Sequence, residues 1–400
     1  MHKNELRKDV FQRVEKLIKK HGPRLAGTKP CLDTANDLYD ELNSFSDQAF
    51  KEDFNVYQGA FLGWIRILVF SYLLGTVFLW LNMPILSLIL AVGSLLVLTL
   101  QFFLYLPLLD HFYPKKDARN VYGILEPTDE VKQQIIISGH HDSAHVFNFF
   151  IHQPKLYNLR TTGSIFFVIL LTVLSFVLLI FNEIPLLTLF IQIMTSLGVL
   201  LVGQMWFFSS KKVAPGAGDN LVASSIALSI GKHFRSLRDK KSGLKHTRLI
   251  LMSFDAEEEG LRGARAYAKK HEKEFKDTKT YLLNMDCLYD ENELFFLTSD
   301  LNDFVKLDED LANDLVGIAS NLGIKTKTQR LAFLTGGTDA AELAKKGVHA
   351  TTIIGMPWTN SSRSNVYHTP NDTLEQVSPK VVEDTINIYL KYITQKDELN

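Results

Sequence analysis

The sequence predicts an α/β fold in which a mixed central sheet is flanked by helices and interrupted by two inserted hairpins of apolar helix. Three observations lead there. Short β-rich runs alternate with amphipathic helical stretches through the soluble parts of the chain. Four long apolar segments come in two close pairs. Side chains of metal-binding types gather where strands should end, which is where open α/β sheets carry their sites.

The β-rich runs are Gln134 to Ser138, Thr247 to Phe254, Tyr281 to Met285, Leu294 to Thr298 and Ala350 to Ile354, with a further strand region at Phe54 to Tyr57. Helical stretches are expected at Asp9 to Lys20, Leu32 to Phe45, Asn220 to Phe234, Gly260 to His271, Asp308 to Asn321, Ala340 to Lys346 and Pro379 to Thr394. There is no internal repeat and no low-complexity linker. The densest Pro/Gly punctuation is Ala214-Pro215-Gly216-Ala217-Gly218, which reads as a loop.

The apolar segments run from Phe61 to Trp80, Pro84 to Leu108, Ser164 to Phe181 and Pro185 to Phe208. A helix needs about 20 apolar residues to cross a bilayer core. Only Leu81, Asn82 and Met83 separate the first pair, and Asn182, Glu183 and Ile184 the second, so each pair is expected to be an antiparallel transmembrane hairpin. A stretch such as Ile165 to Ile180 contains no charge, which argues against a core hairpin of a soluble protein. Trp64, Tyr72, Trp80 and Trp206 lie mostly near segment ends, where amphipathic rings favour the interface. The expected organisation is therefore hairpins at 59–109 and 163–209, with residues 1–58, 110–162 and 210–400 forming one soluble domain.

Both hairpins return to the side they left, so the soluble domain sits on one face. The tips carry no Lys or Arg, whereas the flanks carry Lys115, Lys116, Arg119, Lys155, Arg160, Lys211 and Lys212, with Arg66 just inside the first helix. The positive-inside rule then places the N-terminus and the soluble domain in the cytoplasm. Met1 to Lys20 agrees, being charged and amphipathic without the apolar core of a signal peptide. On that side the Asn360-Ser361-Ser362 and Asn371-Asp372-Thr373 sequons carry little meaning.

Composition narrows the function classes. A formal charge of −1 and a pI near 6.9 give no basic face for nucleic acid. Two cysteines, Cys31 and Cys287, exclude a disulfide scaffold and a cysteine-rich zinc module. The mean hydropathy of +0.03 averages over strongly segregated apolar and charged blocks.

The strand Ile135-Ile136-Ile137-Ser138 runs into Gly139-His140-His141-Asp142-Ser143. Side chains two apart share a face in extended chain, so His140 and Asp142 point together and His141 points away. His140 suits a metal ligand and Asp142 an orienting partner, although a His-x-Asp taken alone favours a structural role. Asp219 follows the Pro/Gly loop and could be a plain N-cap. Asp255-Ala256-Glu257-Glu258-Glu259-Gly260 follows an apolar strand, where one ligand plus one general base fits, as do solvated charges at a helix start. Asp286 ends another strand, and a late loop offers Tyr367-His368-Thr369-Pro370-Asn371-Asp372. Together these supply two histidines and three carboxylates, the inventory of a two-zinc hydrolase in which one carboxylate bridges the metals.

The His-x-Asp-Ser run, Gly218-Asp219-Asn220, the Ala-Glu-Glu-x-Gly-Leu-x-Gly run, the isolated Asp286 and the Tyr-His-Thr-x-x-Asp run stand in one order. That order resembles the di-zinc metallopeptidase family of aminopeptidase S, aminopeptidase Y and glutamate carboxypeptidase, which has glutaminyl cyclases as relatives. The opening His21-Gly22-Pro23-Arg24-Leu25-Ala26-Gly27 is also similar, and the likeness covers roughly Glu15 to Ile393. It implies a zinc aminopeptidase-like fold and two Zn2+ per chain. Asp219 would bridge both metals, His140 and Asp286 would complete one zinc, and Glu258 and His368 the other. Glu257 matches the general base, and Tyr367 a group that stabilises the oxyanion. Gly336-Gly337-Thr338-Asp339 resembles a loop near the substrate pocket, which a turn capping the Ala340 helix explains as well.

The expected function is a membrane-anchored, zinc-dependent exopeptidase, most simply an aminopeptidase, that hydrolyses peptides through metal-activated water. Its partners would be the bilayer and peptide substrate. A glutaminyl cyclase-like acyltransferase and a catalytically inactive scaffold on the same fold are the alternatives. The second hairpin interrupts the chain between Asp142 and Asp219. About eleven positions separate Phe208 from Asp219, a reach under about 40 Å. The site is therefore expected near the bilayer, favouring short or membrane-associated peptides.

Overall fold

The computed structural model describes residues 3–181, 183–358 and 365–399, so the Asn360-Ser361-Ser362 sequon lies outside the described residues. The chain divides into two compact units. One comprises Met1–Gln58, Lys115–His145 and Lys212–Asn400, and the other Gly59–Pro114 and Val146–Lys211.

The first unit has the expected α/β fold. The strands of its main sheet are β1 (Gln48–Tyr57), β2 (Lys115–Leu125), β3 (Gln133–His140), β4 (Thr247–Phe254), β5 (Lys279–Leu288), β6 (Leu294–Leu297), β7 (Lys327–Gln329) and β8 (His349–Gly355). They form one eight-stranded sheet in the order β1-β2-β4-β3-β5-β8-β6-β7. The central strands β4, β3, β5 and β8 run parallel, while β1, β2 and β6 pair antiparallel with their inner neighbours. Every residue of β3 is buried, as are all but one of β4 and of β5. Strands covered on both faces read as continuous apolar runs, which is why the sequence located these three.

Two strands escaped sequence reading. Lys115, Lys116 and Arg119, counted there as a basic membrane flank, belong to β2. Its first three residues are exposed, and burial begins at Ala118, ahead of the stretch that pairs with β4. Lys327-Thr328-Gln329 is a polar edge strand of three residues with no apolar pattern to announce it.

The flanking helices of this unit include α1 (Lys3–His21) and α2 (Lys29–Phe45). Ile135, Ile136, Ile137, Leu251 and Met252 of the sheet share one core with Val10 and Val14 of α1 and Leu38 of α2. An ion cluster ties the edge strand β1 to the segment ahead of β5. Glu52 Oε1 lies 2.9 Å from His271 Nε2, whose Nδ1 lies 3.2 Å from Glu274 Oε2. Burial disfavours a charged His271, but Glu274 and Glu52 outweigh it and push the imidazole up to about 9. A pKa raised above the unfolded value of about 6.5 gives stability that is full below that pH and is lost as pH rises through about 9. Wild type should therefore lose thermal stability relative to His271→Gln between pH 6 and pH 9.5. A constant difference in Tm across that range would remove His271 from the account.

The second unit is a four-helix assembly of α3 (Gly63–Trp80), α4 (Pro84–Leu98), α5 (Tyr157–Ile180) and α6 (Pro185–Gly203). With their short helical extensions, all four are long and apolar enough to cross a membrane. The regular helix of α4 ends at Leu98 rather than at Leu108, passing into a wider turn over Thr99–Phe103. There Gln101 donates to Ala60 O at 3.1 Å and accepts from the Leu109 N–H at 3.1 Å, tying the turn to backbone that lies outside it. Helix α5 begins before Ser164, so Arg160 sits in its first turn and donates to His152 O at 2.7 Å.

Small and polar side chains join the helices of this unit. Tyr72 of α3 donates to Thr195 O of α6 at 2.7 Å, and the Ser87 and Ser175 hydroxyls of α4 and α5 meet at 2.8 Å. A Cβ at Gly198 would stand 2.1 Å from the Tyr72 hydroxyl, so only glycine admits that contact.

Candidate metal centre

The C-terminal ends of three adjacent parallel strands converge on one point. Strand β3 delivers His140 and then Asp142, β4 is followed by Asp255 to Glu258, and β5 carries Asp286. Asp219 arrives from the Pro/Gly loop ahead of α7 (Val222–Asp239), and His368 from the loop before the C-terminal helix. The N-cap position of that helix is held by Leu221, not Asp219, so the N-cap alternative falls away.

The carboxylate of Asp219 lies between two imidazoles. Its Oδ1 is 3.3 Å from His140 Nε2, and its Oδ2 is 3.2 Å from His368 Nε2. On one side, Asp286 Oδ1 is 3.9 Å from His140 Nε2. On the other, Glu258 Oε2 is 3.2 Å from His368 Nε2. His140, Asp219 and Asp286 thus form one group whose ligand atoms lie within 4.8 Å of one another, and Asp219, Glu258 and His368 form a second that shares Asp219. Glu257 stands at the rim of the first group, its Oε2 3.8 Å from His140 Nε2.

Buried atoms in this cluster lack hydrogen bonds: His140 Nε2, Asp219 Oδ2, Glu258 Oε1 and Asp286 Oδ1 have no partner of that geometry. Leaving such groups unsatisfied costs about 1–3 kcal/mol each. Charge is equally unbalanced. Burial pushes the Asp286 carboxyl up to about 7, with the Asp219 charge adding to it. Burial also raises Glu257 well above the usual range, against the pull of His140 and with Glu258 and Asp286 adding. Burial alone would raise Asp219, but His140 and His368 hold it below the usual range. His368 is pushed up to about 9, because Glu258 and Asp219 outweigh burial. Divalent cations fit this donor set of imidazole nitrogens and carboxylate oxygens, supplying both partners and charge.

Asp142, wholly buried, joins the parts. One oxygen lies 3.2 Å from His140 Nδ1 and accepts from the Glu257 N–H at 3.2 Å; the other accepts from the Glu258 N–H at 3.1 Å. Fixing the far nitrogen of an imidazole sets its orientation toward a metal. Asp372 acts similarly on the opposite side, accepting from the Gly218 N–H at 2.8 Å just ahead of Asp219.

Arg24 holds the two loops from below. Its guanidinium is fully buried and donates to His141 O at 2.8 Å, Gly22 O and Pro215 O at 3.0 Å each, and Gly216 O at 2.6 Å. Gly216 has φ +69°, and a Cβ there would meet Ser143 Oγ at 2.3 Å, so this turn requires glycine. Non-glycine residues in the left-handed region also cluster at the site: Ala256, Cys287 and His368 have φ of 58°, 51° and 51°. Such conformations cost of order 1–3 kcal/mol each and concentrate where surrounding structure fixes functional geometry.

Tyr367 stacks on His368, ring centroids 3.8 Å apart. Asp339 is a residue whose importance the sequence left open. It stands at the N-cap of the Ala340 helix without a side-chain cap bond, is 1% exposed, and leaves Oδ1 without a hydrogen bond. Its carboxyl is raised well above the usual range by burial, against His140 and with Asp142 and Asp286 adding, which places it among the site's charges.

Comparison with known proteins bears on the fold that carries these residues. Residues 206–393 match the family model of peptidase family M28. No curated protein matches the chain. Among solved structures, it is similar to a Zn-dependent exopeptidase from Parabacteroides distasonis, at 13% identity and a TM-score of 0.58, covering 97% of both chains. It is similar to a glutaminyl cyclase from Fimbriiglobus ruber, at 14% identity and a TM-score of 0.57, covering 97% of this chain and 94% of that one. An aminopeptidase from Aneurinibacillus is similar at 16% identity and a TM-score of 0.55, covering 97% of this chain and 93% of that one. At these identities the likeness is one of fold. The chain thus has the fold of the zinc-dependent exopeptidases and glutaminyl cyclases, and residues 206–393 of it match the family model of peptidase family M28.

Proposed function

We propose that this chain is a membrane-anchored zinc exopeptidase, of aminopeptidase type, that holds two Zn2+ and cleaves short or membrane-associated peptides. The observation that carries the reading is the Asp219 carboxylate set between His140 and His368, with Asp286 and Glu258 flanking them. In this reading His140, Asp219 and Asp286 hold one ion, and Asp219, Glu258 and His368 the other. Bound zinc would activate water near neutral pH and polarise the scissile carbonyl.

The remaining chemistry belongs to the chain. Glu257, at the rim of the cluster and raised in basicity by its surroundings, takes a proton from the attacking water and returns it to the leaving amine. Asp142 keeps His140 oriented and fixes the backbone of Glu257 and Glu258. Tyr367, stacked on His368, would in this reading donate to the developing oxyanion. The four apolar helices anchor the protein, with the basic flanks of the hairpins facing the cytoplasm. The short connectors between the Asp142 and Asp219 motifs and the apolar helices favour small substrates over long chains.

The test is metal content and product identity on the detergent-purified full chain. Two zincs per chain and amino acids released from the N-termini of short peptides are the expected result. One zinc and a cyclised N-terminal glutamine would assign the chain to the cyclase branch instead. Absence of both metal and turnover would make it a scaffold.

A further inference from the structure

The His140-His141-Asp142 run splits at its middle residue. His141 turns away from the cluster just described and lands in a second one, where nothing above gives it a role. Cys31, in the first turn of α2, donates from Sγ to Asp255 Oδ1 at 3.2 Å. His141 Nε2 lies 3.9 Å from Asp255 Oδ2, beyond hydrogen-bond reach. One ligand atom from each of the three side chains falls within 4.8 Å of the others, and all three residues are fully buried.

The imidazole is held as a ligand would be. Its Nδ1 meets Ser253 Oγ at 2.8 Å, and Ser253 in turn meets Ser224 Oγ at 2.7 Å. Its Nε2 faces the thiol and the carboxylate with no hydrogen-bond partner. Metal-binding histidines are positioned in this way, one nitrogen fixed by an outer partner and the other left for the ion. Asp255 is fixed as well. The Arg119 N–H donates to Oδ2 at 2.8 Å, and the Asp255 N–H donates to Asn120 Oδ1 at 3.0 Å.

The geometry points to a third zinc site, structural rather than catalytic, formed by Cys31, His141 and Asp255. Thiolate, neutral imidazole and carboxylate are all established zinc ligands, and the second oxygen of the Asp255 carboxylate can fill the fourth position, which closes the site as a structural zinc requires. Binding expels the thiol proton and any proton on the carboxyl. The Zn2+ charge then balances one thiolate and one carboxylate, so the fully buried site is neutral overall. Its effect would be to staple helix α2 to the ends of β3 and β4, directly behind the strand that carries His140.

X-ray absorption at the zinc edge, on the full chain with unbound metal removed, tests this. Every ligand of the proposed catalytic centre is nitrogen or oxygen, so that centre gives no sulfur scatterer whether or not its own assignment holds. The expected spectrum contains a zinc–sulfur shell at about 2.3 Å. Cys31→Ser should lose that shell and one equivalent of zinc, His141→Gln should lose the same equivalent, and Cys287→Ser should keep both. A wild-type spectrum without sulfur overturns the site even if the variants fail to fold. So does a sulfur shell that disappears in Cys287→Ser and survives in Cys31→Ser.

Discussion

Glu257→Gln is expected to lower kcat for peptide cleavage by roughly 10²–10⁴-fold, equivalent to about 3–5 kcal/mol of transition-state stabilisation, with metal content unchanged. Glutamine keeps the size of the side chain and leaves the Glu257 N–H donating to Asp142 at 3.2 Å, so the loop should not move. What it removes is the capacity to accept and return a proton. Because that capacity matters in the transition state, KM should change far less than kcat. The rival arrangement is one in which Glu257 is itself a ligand, since His140, Glu257 and Glu258 also bring ligand atoms within 4.8 Å of one another. In that case the glutamine variant would lose zinc along with activity. Metal retention with kcat lost separates a base from a ligand; metal loss would sink the assignment.

How much of this was legible in the sequence depended on how local each signal is. Strands β3, β4 and β5 were readable because burial on both faces leaves a continuous apolar run, and each points its chemistry off one end. Strand β2 was not, because its exposed start is charged and looks like a membrane flank; only the partner strands make it a strand. The candidate ligand set, which the structure brings together, was readable from motif order. The hydrogen bonds that organise it were not. Asp142 was expected to orient His140, but its bonds to the Glu257 and Glu258 N–H groups arise where two strand ends meet, across more than a hundred residues of chain. Asp339 stood in a run that resembles a loop near the substrate pocket or reads as a plain turn, and its own burial depends on the loop around it. The Cys31–Asp255 contact spans 224 positions, and no spacing rule could announce it.

The largest effect on metal binding is expected at Asp219. Its two oxygens face different histidines at 3.3 and 3.2 Å, so in the proposed centre one side chain serves both ions. Asp219→Ala removes that shared ligand and leaves two buried imidazoles and two further carboxylates without the group between them. Zinc affinity should fall by more than about 10²-fold, beyond the 10–100-fold typical of removing an outer-shell partner, and peptide cleavage should fall to background. Asp142→Asn supplies the calibration. It keeps the shape of the side chain and removes charge from a residue that touches His140 only at Nδ1, so its loss should stay within that 10–100-fold range. Chelator competition on both variants, with circular dichroism to establish that each is folded, measures the difference. A ranking with Asp219 above Asp142 is what a bridging carboxylate requires. Should the alanine variant hold two zincs as tightly as wild type, Asp219 would be a structural acid between two charged histidines, and the metal would have to lie elsewhere.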